Sequence, residues 1–425
     1  MPWALTSTAG HSVFTVLRAR RDYRRLIAAN AQSQLGSGAA YVALMVLAYD
    51  RLHSGWAVAL VLLGDFLPGI ALSARFGALA DRCDRRLLAV GGDAIRAAAF
   101  IGIALLPFFA TTVVFALIAG VGTALWRPAV NSALPGLVEP DERSAANAAY
   151  SLCMNVGMTA GPALGAAALL VLSPAAVLAI NGATFGLSAL LLCRVALGRA
   201  PQQAGSAPAA GARTRRELRA IVGLPGVCAL IAVSSGALLA AAMMNVGEPL
   251  LAVGPLRGGS AGYGLLVSLY GIGMIAGSVA NARAASAVSR LRRRWLAGAA
   301  LTGVMLLGSG LAPTLLVAGV TFTLTGAGNT LVTGSETRLL QRLAPERMLG
   351  RVFGLYDAVQ NVAMVTAFLL GGIVLSAGGP RGVFMAGGAV TLIAGVAGAL
   401  CFRPAAGAHP APARIESVAP AASPC

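Results

Sequence analysis

The sequence predicts an all-α membrane protein of about twelve transmembrane helices, arranged as two parallel six-helix halves. Three observations carry this. Of 425 residues, 57% are hydrophobic and only 11% charged, with a mean hydropathy of +0.78, far from the range of soluble chains. Apolar runs long enough to cross a bilayer recur between short polar breaks, and they lack the period-two alternation of a β-barrel. Near the midpoint the composition turns to Pro, Gln, Gly, Ser and Arg, a flexible linker that divides the chain.

Taken in order, residues 1–25 form an N-terminal segment and residues 26–197 the first half. Its spans are expected at Leu26–Ala48, Trp56–Ala80, Leu87–Phe109, Val113–Leu134, Asn147–Leu172 and Ala175–Leu197. The first of these follows Arg24 and Arg25, contains Asn30, Gln32 and Gln34, and has a full span's length, so it reads as an uncleaved helix rather than a signal peptide. Residues 198–220 are the linker. Residues 221–402 form the second half, with spans at Ile221–Asn245, Gly262–Ala285, Trp295–Leu311, Leu315–Leu340, Val352–Leu375 and Val383–Phe402. The Pro- and Ala-rich tail, residues 403–425, is expected to be disordered.

The net charge of +17 sets topology and does not signal a nucleic-acid partner. There is no lysine, and the arginines gather in alternate loops: Arg18 to Arg25, Arg82 to Arg86, Arg127 and Arg143, Arg194 to Arg219, Arg290 to Arg294, Arg338 to Arg351, and Arg403. The intervening loops hold only Arg51, Arg257 and Arg381. By the positive-inside rule the arginine-rich loops and both termini are cytoplasmic. Arginine without lysine, among so much Ala and Gly, points to a GC-rich bacterial genome and hence to a bacterial inner membrane.

An internal repeat is legible. GVGTALWRPAVNSALPGLVEPDERSAANAAYS, from Gly120, parallels GAGNTLVTGSETRLLQRLAPERMLGRVFGLYD, from Gly326. Parallel six-helix halves joined by a central linker resemble the architecture of major facilitator transporters, and the resemblance implies that substrate binds between the halves near the midplane.

Three further stretches carry a resemblance over nearly the whole chain: GALADRCDRRLLAVGGDAIRAA, WRPAVNSALPGLVEPDERSAANA and GMTAGPALGAA. Together they resemble major facilitator superfamily transporters, and within them bacterial exporters of the enterobactin and macrolide type. The resemblance implies a cytoplasmic gate built from Gly77, Asp81, Arg82, Asp84, Arg85 and Arg86, with Asp93, Arg96 and Arg127 completing it. Asp81 would face a neighbouring helix and Arg85 and Arg86 would reach nearby carboxylates. Asp93 and Arg96, three apart, share a helix face and can pair there. Asp84 stands where many relatives have Gly, which implies a different turn. Gly157, Gly161, Pro162 and Gly165 resemble the superfamily's antiporter signature, with Ala166 in place of its last Gly. Small residues at that spacing also let two helices approach closely, whatever is transported. One departure matters: where drug–proton antiporters place an Arg before the G-x-G of the fourth helix, this chain has Ala116.

Coupling must then lie elsewhere. Asp65, a lone carboxylate within the second span just before Pro68, is the main candidate, because an unpaired acid in low dielectric is suited to loading and releasing a proton. Asp50 and Glu248, expected near the external ends of the first and seventh helices, are the others. Asn30, Gln34, Asn155, Asn245 and Gln360 are polar groups that either line the cavity or bond between helices. Glu139, Asp141, Glu142 and Arg143 serve the gate or form a solvated surface.

No enzyme constellation is present: His11, His53 and His409 lie in loops or tails, and no phosphate-binding G-x-x-x-x-G-K-[ST] motif occurs. The six cysteines, Cys83, Cys153, Cys193, Cys228, Cys401 and Cys425, have no metal-ligand spacing, and neither metal nor cofactor is expected. The expectation is a monomeric secondary transporter exporting a small apolar or amphipathic molecule against protons. With 6% aromatic residues and few intramembrane charges, a neutral or weakly anionic solute is favoured over a strict cation. Uptake or lipid flipping is the alternative within transport, and ligand sensing the alternative outside it.

Overall fold

The structure, a computed structural model, describes residues 13–52, 54–80, 82–198, 221, 223–224, 226–282, 287–345 and 348–401. Asp81, most of the linker, the C-terminal tail and all three histidines lie outside the described residues. A short helix α1 (Val13–Ala19) precedes six long ones: α2 (Arg21–Leu52), α3 (Gly55–Ala80), α4 (Arg85–Leu105), α5 (Phe109–Ala133), α6 (Arg143–Ala168) and α7 (Pro174–Leu192). The second half holds α8 (Val227–Val253), α9 (Gly259–Ala282), α10 (Val288–Leu311), α11 (Leu315–Leu343) and α12 (Leu349–Cys401).

α12 comprises two spans. Gly379 takes φ 65°, a left-handed conformation that suits glycine, and Pro380 follows it, so the chain breaks there and turns back. Among the described residues nine helices are long and apolar enough to cross a membrane by composition alone. α2 and α6 are as long but more polar, and α12 counts once although it crosses twice, so each half supplies six spans. The expected boundaries differ most at α8. In place of an end at Asn245, the helix continues through Pro249 to Val253, because every residue from Val246 to Ala252 is buried and packing holds the helix past the missing proline N–H.

The two halves repeat one packing scheme. α2 packs on α6 and α7, α3 on α5, and α4 on α5 and α7; in the second half α8 packs on α12, α9 on α11, and α10 on α11 and α12. The same glycines make the closest approaches. A Cβ at Gly92 would lie 2.7 Å from the Gly122 carbonyl, and one at Gly298 would lie 2.9 Å from the Gly328 carbonyl. Both helix pairs thus meet at the same register, offset by 206 residues, from 92 to 298 and from 122 to 328.

The hydrophobic core shows how the halves join. One cluster draws on both: Leu44, Leu62 and Leu178 of the first half pack with Met243, Tyr263 and Phe368 of the second. It lies at the end of the bundle remote from the chain termini, called here the far end. At the opposite, arginine-rich end the core divides. Val16, Tyr23, Trp126 and Leu192 belong to a cluster made of the first half alone, and Leu230, Trp295, Leu339 and Val352 to one made of the second half alone. The halves are therefore sealed together at the far end and separate at the basic end, leaving a cleft between them.

Small residues make the seal. Gly264 of α9 faces Ala166 of α6, Gly271 lies against Thr159, and Gly372 of α12 lies against the Trp56 ring of α3. Phe66 and Phe368 stack across the junction with centroids 5.6 Å apart.

Candidate functional site

Polar groups gather where the cleft meets the sealed end. Asp65 sits in α3 about 15 Å from the start of that helix. Three residues later Pro68 removes the N–H that would bond to the Gly64 carbonyl, and α5 uses the gap: a Cβ at Gly120 would lie 2.9 Å from that carbonyl. Asp65 is half-buried, and its side chain has no hydrogen bond or ion pair among the described residues. Arg96 is the positive charge that acts on it.

Across the junction stands Glu248 of α8, 3% exposed, with Oε1 lacking a hydrogen-bond partner. It lies five residues, about 7.5 Å, before the helix end, deeper than an interfacial position. Tyr41 of α2 and Tyr263 of α9 meet beside it, and Tyr41 also feels the charge of Asp65. Tyr270 of α9, also near Glu248, accepts a 2.8 Å hydrogen bond from Asn329 Nδ2 of α11. Acids and tyrosines of both halves therefore stand near one another at the junction. These tyrosines escaped sequence reasoning, because Tyr41 and Tyr263 are separated by the entire linker and carry no local signal. Asp50, by contrast, is exposed at the far end of α2.

Asp93 and Arg96 are brought together, but away from the turn. They form a short ion pair on one face of α4, and Asp93 Oδ2 accepts a 2.7 Å hydrogen bond from Ser188 of α7. The Arg96 guanidinium lies 4.9 Å from the Trp126 ring centroid and 4.2 Å from that of Phe185. Cation–π contact and the carboxylate together offset the cost of burying this charge. The pair is about 12–17 Å along the helix from Arg85, so it is an interior feature of the first half and no part of the terminal cluster.

At the basic end the described residues expected to close a gate make polar contacts only within their own half. Asp84 caps α4, its Oδ1 accepting from the Arg86 N–H at 2.8 Å. Arg85 donates to the Ser132 carbonyl of α5 at 3.0 Å and not to a carboxylate, as the other half stands away. Arg82, Arg86 and Arg127 are exposed, and a Cβ at Gly77 would meet open space. The loop acids act locally too. Glu142 Oε2, nearly buried, accepts from Arg20 Nε and from the Glu139 N–H, both at 3.0 Å, while Arg20 also pairs with Glu139 at 3.2 Å. This fastens α1 and α2 to the start of α6, and is more than a solvated surface.

The glycine stripe of α6 lies on α2. A Cβ at Gly161 would come within 2.6 Å of the Gly38 Cα, and one at Gly165 within 2.5 Å of the Ala39 carbonyl. A Cβ at Gly157 would be 2.5 Å from Gln34 Cβ. Pro162 sits beside Gly38, inside the same contact. Of the polar groups expected in the cavity, Asn30 is instead fully buried within the first half, its amide atoms unpartnered, because α2 turns that face to its own bundle. Gln34 Nε2 bonds to the Met154 sulfur at 2.6 Å, and the Gln360 Nε2 to the Tyr356 hydroxyl at 2.9 Å. Asn245 is half-buried on α8. The Asn155 side chain is outside the described residues. Among the described residues no group of His, Cys, Asp and Glu could hold a metal ion.

Comparison with known proteins gives this arrangement a context. A family model described as transmembrane secretion effector matches residues 11–418. Macrolide efflux protein A of Streptococcus pyogenes is 24% identical over 355 residues, covering 81% of this chain and 86% of the relative. Macrolide efflux protein A of Enterococcus faecalis is 26% identical over 328 residues, covering 73% of this chain and 98% of the relative. Among solved structures, the nucleoside transporter NupG superposes with a TM-score of 0.70 at 13% identity, covering 90% of this chain and 99% of that one. Family and relatives are membrane transporters and not enzymes.

Proposed function

Because the chain belongs to the transmembrane secretion effector family of the major facilitator superfamily, we propose that it exports an amphipathic organic molecule from a bacterial cell by alternating access, in exchange for protons. The observation that carries this reading is the divided core: one shared cluster at the far end, two separate ones at the basic end. With the arginine-rich loops and both termini on the cytoplasmic side, the cleft opens inward, the state in which an exporter loads. Export then requires the far-end glycine contacts to part while the basic end closes around Gly77, Asp81 and the neighbouring arginines.

Asp65 is the coupling acid of this cycle. It stands at the inner limit of the cleft, half-buried and unpaired, where it can take a proton after substrate leaves and yield it when substrate returns. Glu248, sealed beneath Tyr41 and Tyr263, becomes accessible only when the far end opens.

The charge balance also bears on the solute. Arg96 is neutralised by Asp93, whereas Asp65 has no counter-ion at the cleft. A neutral or amine-bearing amphipath therefore fits better than an anion, which departs from the neutral or weakly anionic solute expected from composition. The relatives named for macrolide efflux make a macrolide the first compound to try. Cells expressing the chain should accumulate less labelled macrolide than control cells, with the difference abolished by a protonophore and by Asp65→Asn. A difference that survives both treatments would rule out proton exchange at Asp65.

A further inference from the structure

Inside the second half lies a polar cluster that the cycle described above does not use. Glu336 of α11, seven residues before the helix ends, is 1% exposed. Ser234 of α8 and Tyr356 of α12 lie near its carboxyl. Tyr356 accepts a hydrogen bond from Gln360 Nε2 at 2.9 Å. Glu336 Oε1, Ser234 Oγ and Gln360 Oε1 have no hydrogen-bond partner among the described residues. No described residue forms an ion pair with Glu336. Arg338, two residues on, is turned to the Asn281 carbonyl of α9 at 3.0 Å, and Arg292 of α10 to the Ala399 carbonyl at 2.9 Å. The titratable groups that face the acid are Tyr356 and, behind it, Asp357.

The internal repeat makes this acid informative. When Gly120 is aligned with Gly326, Tyr356 falls on Tyr150 and Glu336 falls on Val130. Val130 is a fully buried member of the first half's core. The fold thus accepts an apolar side chain at this place, and packing does not demand a carboxyl group. A buried acid without a cation is costly when ionised, so its presence calls for a ligand that neutralises it. Tyr356, half-buried seven residues into α12, lies at the depth of Glu336 from the basic end, and Gln360, also half-buried, lies one turn deeper.

We propose that Glu336 is a proton-binding site of the second half, filled and emptied from the cleft through the Tyr356 hydroxyl, which Gln360 Nε2 holds in place. Water in the cleft gives a proton to the Tyr356 oxygen as the Tyr356 hydroxyl proton passes to Glu336. The resulting neutral acid can donate to Ser234 Oγ, which ties α11 to α8. Release returns the proton by the same path, leaving a carboxylate that accepts from the Ser234 and Tyr356 hydroxyls. The inference rests on the proton-coupled reading of the chain, and it adds a site in the half opposite Asp65.

The test is infrared difference spectroscopy of the full chain in lipid nanodiscs during stepwise pH change. The expected result is a protonated-carboxyl C=O band that fades as pH rises, present in wild type and Asp65→Asn and missing in Glu336→Gln. Glu336→Val, which installs the repeat's own residue, serves as a second variant that should fold and also lack the band. Tyr356→Phe should keep the band but slow its response to a pH jump. A carboxyl spectrum unchanged in both Glu336 variants would overturn the proposal. Macrolide efflux measured alongside separates the two readings: gradient-driven efflux with an unchanged spectrum removes Glu336 alone, whereas efflux indifferent to the gradient removes proton coupling itself.

Discussion

Replacing Gly264 by Ala tests the seal between the halves directly. The added methyl would collide with the Ala166 Cβ and come within 2.9 Å of the Ala166 Cα. Carbon atoms rest at about 3.5–4.0 Å, so α6 and α9 must separate by roughly 1.5–2 Å at the far end. Overpacking of this kind costs about 1–3 kcal/mol. The cost falls on the far-end-closed state alone, because the two helices part in the other state. The equilibrium should therefore move away from this structure by roughly 5- to 150-fold. Spin labels on cysteines placed at Arg86 and Arg290, at the basic ends of α4 and α10, would read the shift by electron–electron resonance. The prediction is a shorter label distance in Gly264→Ala than in wild type. An unchanged distance distribution in a folded variant would refute the idea that this contact holds the far end shut.

Three further outcomes are expected. Gly77→Leu meets open space here, so it should fold normally, yet it should block closure at the basic end by an overpacking cost of about 1–3 kcal/mol; the same labels would then report the long distance only, with transport lost. Arg96→Met leaves Asp93 buried without its partner and should lower stability by about 3–5 kcal/mol, while Arg96→Met with Asp93→Asn should recover most of it, as thermal unfolding in detergent would measure. Gly161→Val would drive a branched side chain into the Gly38 backbone and should abolish folded protein in size-exclusion profiles, whereas the same change at Gly186, which faces open space, should not.

The helices, the two halves and the midpoint linker were legible because a lipid-spanning chain must satisfy its backbone within continuous apolar helices. The Asp93–Arg96 pair was legible from its spacing alone. The end of α8 was not, because proline usually marks a stop and only the burial of residues 246–252 carries the helix past Pro249. The partnership of Glu248 with Tyr41 was hidden for a different reason. It depends on how two independent bundles meet, and a sequence pattern within one helix holds no information about that. Glu336 was overlooked because TGSETR reads as the polar end of a helix, yet the acid points inward. Asn30 had two readings, cavity lining or a bond between helices, and only its burial within the first half separates it from the cavity. The open state at the basic end lies beyond sequence altogether, since one sequence must encode both states.

The central claim is that proton entry through Asp65 drives export, and the most direct measurement is transport into inside-out vesicles. With an acid interior and a labelled macrolide outside, wild-type vesicles should accumulate the label. Asp65→Asn vesicles, carrying equal amounts of folded protein, should only equilibrate it. Accumulation that persists in Asp65→Asn, or in wild type after the gradient is collapsed, would contradict the account.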